Sequence, residues 1–320
     1  MLRHRIMHLV ISPFLAATAA SFPLPSVAAA QDRYEGPIID MHLHARGEVQ
    51  ADRRFCFPDP CEGAPTIAKD VAEMKAMLRE AMDDNNIVLG VISDENPDVV
   101  LDWMEGQENR FLGGVSEPSR FSKRQLKEFY VKGSFKVVGE MGEQYLNIAI
   151  DDPSLDHVFA FAHEHDLPIL IHLEGIGGDA GFPANLGDPL RLAPVLRKYP
   201  GLRVYLENAG WPFLEEITSL MYVYPSVYAD VSTILHLTPR DQALRYLKGL
   251  VDNGLGKRIM YGSDQMSWPE VIPVVIEAIQ SAEFLTVEQK ADIFYNNAAR
   301  FLRLPNEEIA RHQATSPRVQ

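Results

Sequence analysis

Eight short runs of β-branched and large apolar residues recur between Glu35 and Asp264, at 37–43, 86–93, 110–116, 135–141, 167–173, 202–208, 227–232 and 258–264. Helical patterns separate them at 66–85, 122–133, 154–166, 189–199, 213–224 and 239–254, with apolar positions three and four residues apart and Ser, Thr or Asp at several starts. Strands that alternate with helices pair in parallel, because each crossover returns the chain to the same end of the sheet. Eight such units within one domain's length predict an α/β fold, a (β/α)8 TIM-type barrel over residues 31–312. A doubly wound open sheet is the alternative. Residues 313–320 read as a loose tail.

In a barrel the chemistry gathers where the strands end, at their C-terminal rim. Run one closes on His42-Leu43-His44, run four on Glu140, run five on His172, run six on Asn208 and run eight on Asp264. Residues i and i+2 of a strand share a face, so His42 and His44 can meet one ion. Taken singly, two solvent-facing histidines, a core histidine at 172 and a helix cap at 264 are equally natural. Three imidazoles and two carboxylates on one rim instead make a site for zinc or a similar divalent ion.

The motifs "IIDMHLHA", "LPILIHLEG", "NAGWP", "KRIMYGSDQM" and "YNNAARFLRL" resemble the amidohydrolase superfamily, and within it the amidohydrolase-2 branch that includes the aminocarboxymuconate-semialdehyde decarboxylase relatives. "GEMG" at 139–142 is also similar to the strand-four turn of TatD-like metal-dependent hydrolases. The resemblance implies metal ligands at His42, His44, His172 and Asp264, with Glu140 as a further ligand or an acceptor for water. It also implies a catalytic Asp264 that takes and returns a proton. Where most relatives read "HAGWP", this chain reads "ENAGWP", with Asn208 in the place of a histidine that usually holds a second ion. An amide oxygen is a weaker zinc donor than imidazole, so one ion is expected rather than two. Alternation along the run turns Glu207 to the opposite face.

The implied activity is metal-dependent hydrolysis of a small ester, lactone or amide. Non-oxidative decarboxylation of a small carboxylic acid and a catalytically silent binding protein are the alternatives. Arg46, Glu174, Trp211, Gln265 and Trp268 sit in loops on the active rim, where substrate contacts are built. Asp230 is read as supporting a ligand, and His236 as a further rim residue. His163 and His165 end a helix before run five, His157 and His312 occupy ordinary helix or tail positions, and Lys136 lies too early in its run to reach the rim.

Residues 1–30 stand apart: a basic start, a short apolar stretch broken by Pro13 and Pro23, and small residues at Ala28 and Ala30. They read as a secretory signal peptide, so the expected location is periplasmic or secreted. Mass spectrometry of the exported chain should find an N-terminus near Gln31, and an intact Met1 would refute this. Without Arg3 and Arg5 the chain keeps 28 basic side chains against 44 acidic ones, a net −16. Such a surface repels phosphate backbones and anionic membranes. The expected partner is a small-molecule substrate, with neither nucleic acid nor membrane after cleavage; assembly into a homo-oligomer is left open. The only cysteines, Cys56 and Cys61 in "FCFPDPCEGAP", suggest a local disulfide in an oxidising compartment, against free thiols or a metal clip.

Overall fold

The computed structural model describes residues 33–49, 68–177 and 181–314. The segment read as a signal peptide and both cysteines lie outside the described residues. Seven strands form one parallel sheet in sequence order: β1 Ile38–His44, β2 Ile87–Asp94, β3 Phe111–Val115, β4 Val137–Met141, β5 Ile169–His172, β6 Val204–Glu207 and β7 Val227–Ala229. The eighth run forms no continuous ladder, yet it closes the ring. Met260 N donates to Ala229 O on one side, while Met41 N donates to Tyr261 O and His44 N to Gln265 O on the other. Single parallel bridges at Ala229–Ile259 and Leu43–Gln265 mark the same path. The expected TIM-type barrel is therefore present, and the open sheet is excluded.

Two apolar layers account for its stability. An inner cluster takes Ile39 and Met41 from β1, Leu89 and Val91 from β2, Val137, Leu170 and Tyr205 from β4 to β6, and Met260, with Tyr295, Ala298 and Phe301 from the C-terminal segment. A larger cluster packs the outward strand residues, such as Val204 and Leu206, against the helices. Helix Val71–Asp84 shows the local logic: the Asp70 side chain caps Glu73 N, and Met74, Leu78 and Met82 recur every four residues as its buried face. A helix at Pro97–Met104, absent from the sequence reading, starts on an Asn96 cap with proline in its first turn.

Simple alternation fails on two strands, and both failures serve the rim. Between Asp40 and Leu43 β1 spends three residues where β2 spends two, Gly90 to Ile92. Between Val138 and Met141 β4 does the same against Ile169 to Ile171 of β5. One extra residue reverses which face the following side chain takes. His42 and Glu140 thereby join the interior although Met41 and Val137 already occupy it below. Gly139 makes the second irregularity feasible. Its φ is +115°, and a Cβ there would lie 2.3 Å from Leu170 O.

Candidate metal centre

At the strand ends the structure gathers His42, His44, Glu140, His172, Glu174, Glu207, Asp230 and Asp264, all shielded from solvent. His42 Nδ1 lies 3.3 Å from Asp230 Oδ2 and 3.1 Å from Ser232 Oγ. With Nδ1–H donating there, the lone pair of Nε2 points into the barrel mouth, where it has no hydrogen-bond partner. Nε2 is 3.3 Å from Asp264 Oδ1 and 3.9 Å from Glu207 Oε1. His44 Nε2 is 3.0 Å from the same Asp264 oxygen, and its Nδ1 is 3.7 Å from Glu140 Oε2. Thr233 donates its hydroxyl to the other Asp264 oxygen.

Donor atoms of His42, His44 and Asp264 lie within 4.8 Å of one another, and so do those of His42, Glu140 and Glu207. Imidazole nitrogens and carboxylate oxygens at these separations can share one divalent ion. The charge balance agrees. Five carboxylates, Glu140, Glu174, Glu207, Asp230 and Asp264, face three imidazoles, and burial opposes ionising all five together. A bound dication would favour their ionised forms. The residues present therefore fit a divalent metal.

His172 stands one step aside from these two groups. Its Nδ1 is 3.1 Å from Glu140 Oε1 and its Nε2 is 3.3 Å from Glu174 Oε1. Burial opposes charge on this imidazole, but the two carboxylates outweigh it and raise its pKa to about 10. Burial also opposes ionisation of Asp264, yet His42 and His44 hold its carboxyl far below the usual range. Glu140 follows the same pattern, lowered to about 2 chiefly by His44 and His172 against the cost of burial. Burial pushes the Glu207 carboxyl well up.

Glu207 is the correction to the sequence reading. It faces the site, and Asn208 does not take the histidine's place. β6 ends at Glu207, in register with His172, and Asn208, Ala209 and Gly210 then turn the chain with φ of +64°, +47° and +64°. The Asn208 side chain accepts from Ser232 Oγ and Thr233 N, and its own N–H donates to Asp230. It braces the residues that hold His42 and Asp264. The signal was present in "VYLE": Val204 and Leu206 form the apolar outer face, which leaves Tyr205 and Glu207 inside.

Two more residues escaped the sequence reading. Tyr205 donates its hydroxyl to Asp230 from within the barrel. Asp40, fully buried, accepts from His42 N at 3.1 Å and Ser263 N at 3.0 Å, tying β1 to the closing segment. Of the weaker candidates, Asp230 lies against His42 Nδ1. Glu174 meets His172, and His236 is buried with its Nδ1 3.1 Å from Ser232 O. Burial lowers the pKa of His236, partly offset by Asp264. Trp211 packs against the outer core. Arg46 touches Met266. His163 binds Pro200 O at a helix end, and Lys136 is exposed at the start of β4, both as expected. His312, read as an ordinary position, is buried against the Tyr295 hydroxyl.

Gly262 packs closely against His42. An added Cβ would sit 2.5 Å from Asp230 Oδ2, 2.7 Å from His42 Cβ and 3.0 Å from the Tyr205 hydroxyl. None of these can swing away without breaking the Tyr205–Asp230–His42 chain. Gly262→Ala is expected to cost about 1–3 kcal/mol, as overpacking does, and to lower metal content with it. Denaturant midpoints and metal analysis read both effects. A variant as stable and as well loaded as the parent would show that this packing yields.

Among known proteins, the family model described as Amidohydrolase (Amidohydro_2) matches residues 39–304. A TIM-barrel protein of Bordetella bronchiseptica shares the fold at a TM-score of 0.66 and 20% identity, over 83% of this chain and 98% of that one. A probable 2-pyrone-4,6-dicarboxylic acid hydrolase from Acinetobacter baumannii does so at 0.61 and 15%, over 83% and 99%. A 5-carboxyvanillate decarboxylase from Novosphingobium aromaticivorans, complexed with manganese, does so at 0.59 and 17%, over 86% and 99%. The fluG protein of Emericella nidulans is 25% identical over 153 residues, and the chain spans only 17% of its length. With a family match over most of its length and the barrel-rim ligand cluster in place, the chain belongs to the amidohydrolase-2 family of the amidohydrolase superfamily.

Proposed function

We propose that the chain is a metal-dependent hydrolase of a small ester, lactone or amide, with Asp264 as its general base. The observation that carries this is the setting of Asp264. One oxygen lies beside both imidazoles of the HxH pair, and the other is fixed by Thr233. His42, His44 and Asp264 would hold the ion, with Glu140 and Glu207 beside them. When bound, a divalent ion supplies polarisation of a carbonyl and a lowered pKa for water. Asp264 then accepts the proton of the attacking water and delivers it to the leaving group. Asp230 and Ser232 keep His42 in one tautomer, and the buried rim excludes bulk water.

Zinc is the proposed ion, and one per chain. The argument from Asn208 lapses, since that side chain faces away, but His42 supplies another. Both candidate ligand groups use His42, whose Nδ1 is taken by Asp230, and the single remaining nitrogen serves a single ion. Metal analysis of the purified chain should read about one zinc-like ion. Two tightly held ions would defeat this count.

Turnover on a panel of lactones, esters and amides, lost with a chelator and restored by zinc, tests the reaction. Decarboxylation is the second reading, favoured by the fold shared with the manganese-complexed decarboxylase. Carbon dioxide release with an inert lactone panel would select it and reject hydrolysis.

A further inference from the structure

Beyond β4 the chain makes a short 3-10 turn, Glu143–Leu146, which sets one aromatic ring against the ligand cluster. Tyr145 N donates to Gly142 O at 2.9 Å where the turn opens, and Asn147 closes it in the left-handed region with φ of +58°. Two buried side chains anchor it. Glu143 accepts from Ser119 N at 3.4 Å. Gln144 grips the segment after β5 with both ends of its amide. Its Nε2 donates to Glu174 O at 2.7 Å and to Pro183 O at 3.3 Å, and its Oε1 accepts from Glu174 N at 3.3 Å. Glu174 is also the residue that meets His172, so the anchor ties this turn to the rim itself.

Tyr145 is thereby held between two rings. Its centre lies 4.6 Å from that of His172 and 5.3 Å from that of Phe182. The residue is nevertheless 55% exposed, and no acceptor among the described residues takes its hydroxyl. By contrast, the hydroxyls of Tyr205, Ser232 and Thr233 donate to Asp230, Asn208 and Asp264. Crowding by the rim, and then the charges of Glu174, Glu140, Asp264 and Glu207, oppose ionisation of the Tyr145 phenol. Four carboxylates from separate strand ends therefore act on one hydroxyl, which puts it beside the cluster they form. It is an accessible, uncommitted O–H donor in an acidic site. When water attacks a carbonyl, the π pair moves onto the oxygen, and carboxylates nearby oppose that charge. A donor already in place offsets them where the charge develops, with no reorganisation at the moment of reaction.

We infer that Tyr145 is a catalytic residue whose hydroxyl donates a hydrogen bond to the substrate's carbonyl oxygen as it becomes an oxyanion. The inference rests on the proposed hydrolysis and adds a residue to it. No proton leaves Tyr145. Asp264 takes the proton of the attacking water and returns it to the leaving group, as the carbonyl reforms and the bond from carbon to that group breaks.

Tyr145→Phe removes one atom and keeps the ring against His172 and Phe182, so its fold and metal content should match the parent's. On the lactone, ester and amide panel its kcat should fall about a hundredfold while KM stays within about threefold, the pattern of an interaction made only in the transition state. A second readout needs no turnover: calorimetry of the metal-loaded parent and variant with ethyl methylphosphonate, a stable tetrahedral anion. The variant should bind it about ten- to a hundredfold more weakly, the range of a hydrogen bond to a charged group. Parental kcat in Tyr145→Phe, with or without a raised KM, would overturn the inference, as would unchanged phosphonate affinity. A parent that hydrolyses the panel and a variant that keeps pace with it sink this inference alone. A parent that hydrolyses nothing, yet binds the phosphonate through Tyr145, sinks the hydrolase reading and leaves the donor standing. A parent with neither activity nor phosphonate binding sinks both.

Discussion

Asp264→Asn is expected to lower turnover by about two to four orders of magnitude, the usual contribution of a positioned general base, while much of the metal stays bound. The substitution keeps size and a ligand oxygen, and it retains a partner for the Thr233 hydroxyl. It removes the one property the mechanism needs, a carboxylate able to accept a proton. Steady-state rates on the panel substrate, with metal content measured on the same preparation, separate the two effects. Full activity in a metal-loaded Asp264→Asn chain would remove Asp264 from the reaction. Activity falling only in step with metal would reduce it to a ligand.

His42→Ala should empty the site and bring turnover to background. The ring supplies the nitrogen common to both candidate ligand groups. Zinc binding of roughly 10–16 kcal/mol, shared among about four ligands, makes each worth about 3 kcal/mol, or some two orders of magnitude in affinity. The loss also strands Asp230, a fully buried carboxylate that keeps Tyr205 and Ser232 but no longer has the imidazole. Metal content should therefore fall from about one ion per chain to under about a tenth at micromolar chelator. A His42→Ala chain that still carries one ion and turns over would end the metal proposal.

The order of elements and most of the rim were legible because both follow from local rules. Alternating strands and helices dictate parallel pairing, and strand ends dictate where His44, Glu140, His172 and Asp264 stand. Asp230 could be placed for the same reason, one residue beyond the end of β7. The closing run at 258–264 was legible as an apolar run although it makes only isolated bridges, since its backbone still bonds to both neighbours.

Which face each residue takes was decided by tertiary structure. A period of two says nothing about a bulge, which depends on how one strand's register meets the next. His42 and Glu140 enter the interior only because β1 and β4 each carry one extra residue against a partner far away in sequence. On β6, where alternation is undisturbed, the sequence reading took the wrong phase, and packing against the helices settles it: Val204 and Leu206 go out, Tyr205 and Glu207 go in. Asn208 then leaves the strand altogether, because three successive left-handed residues turn it towards Ser232 and Thr233. The amino-acid sequence by itself determined the residues available for the site. Long-range strand register, which fixes side-chain direction through contacts no local window contains, decided which of them meet.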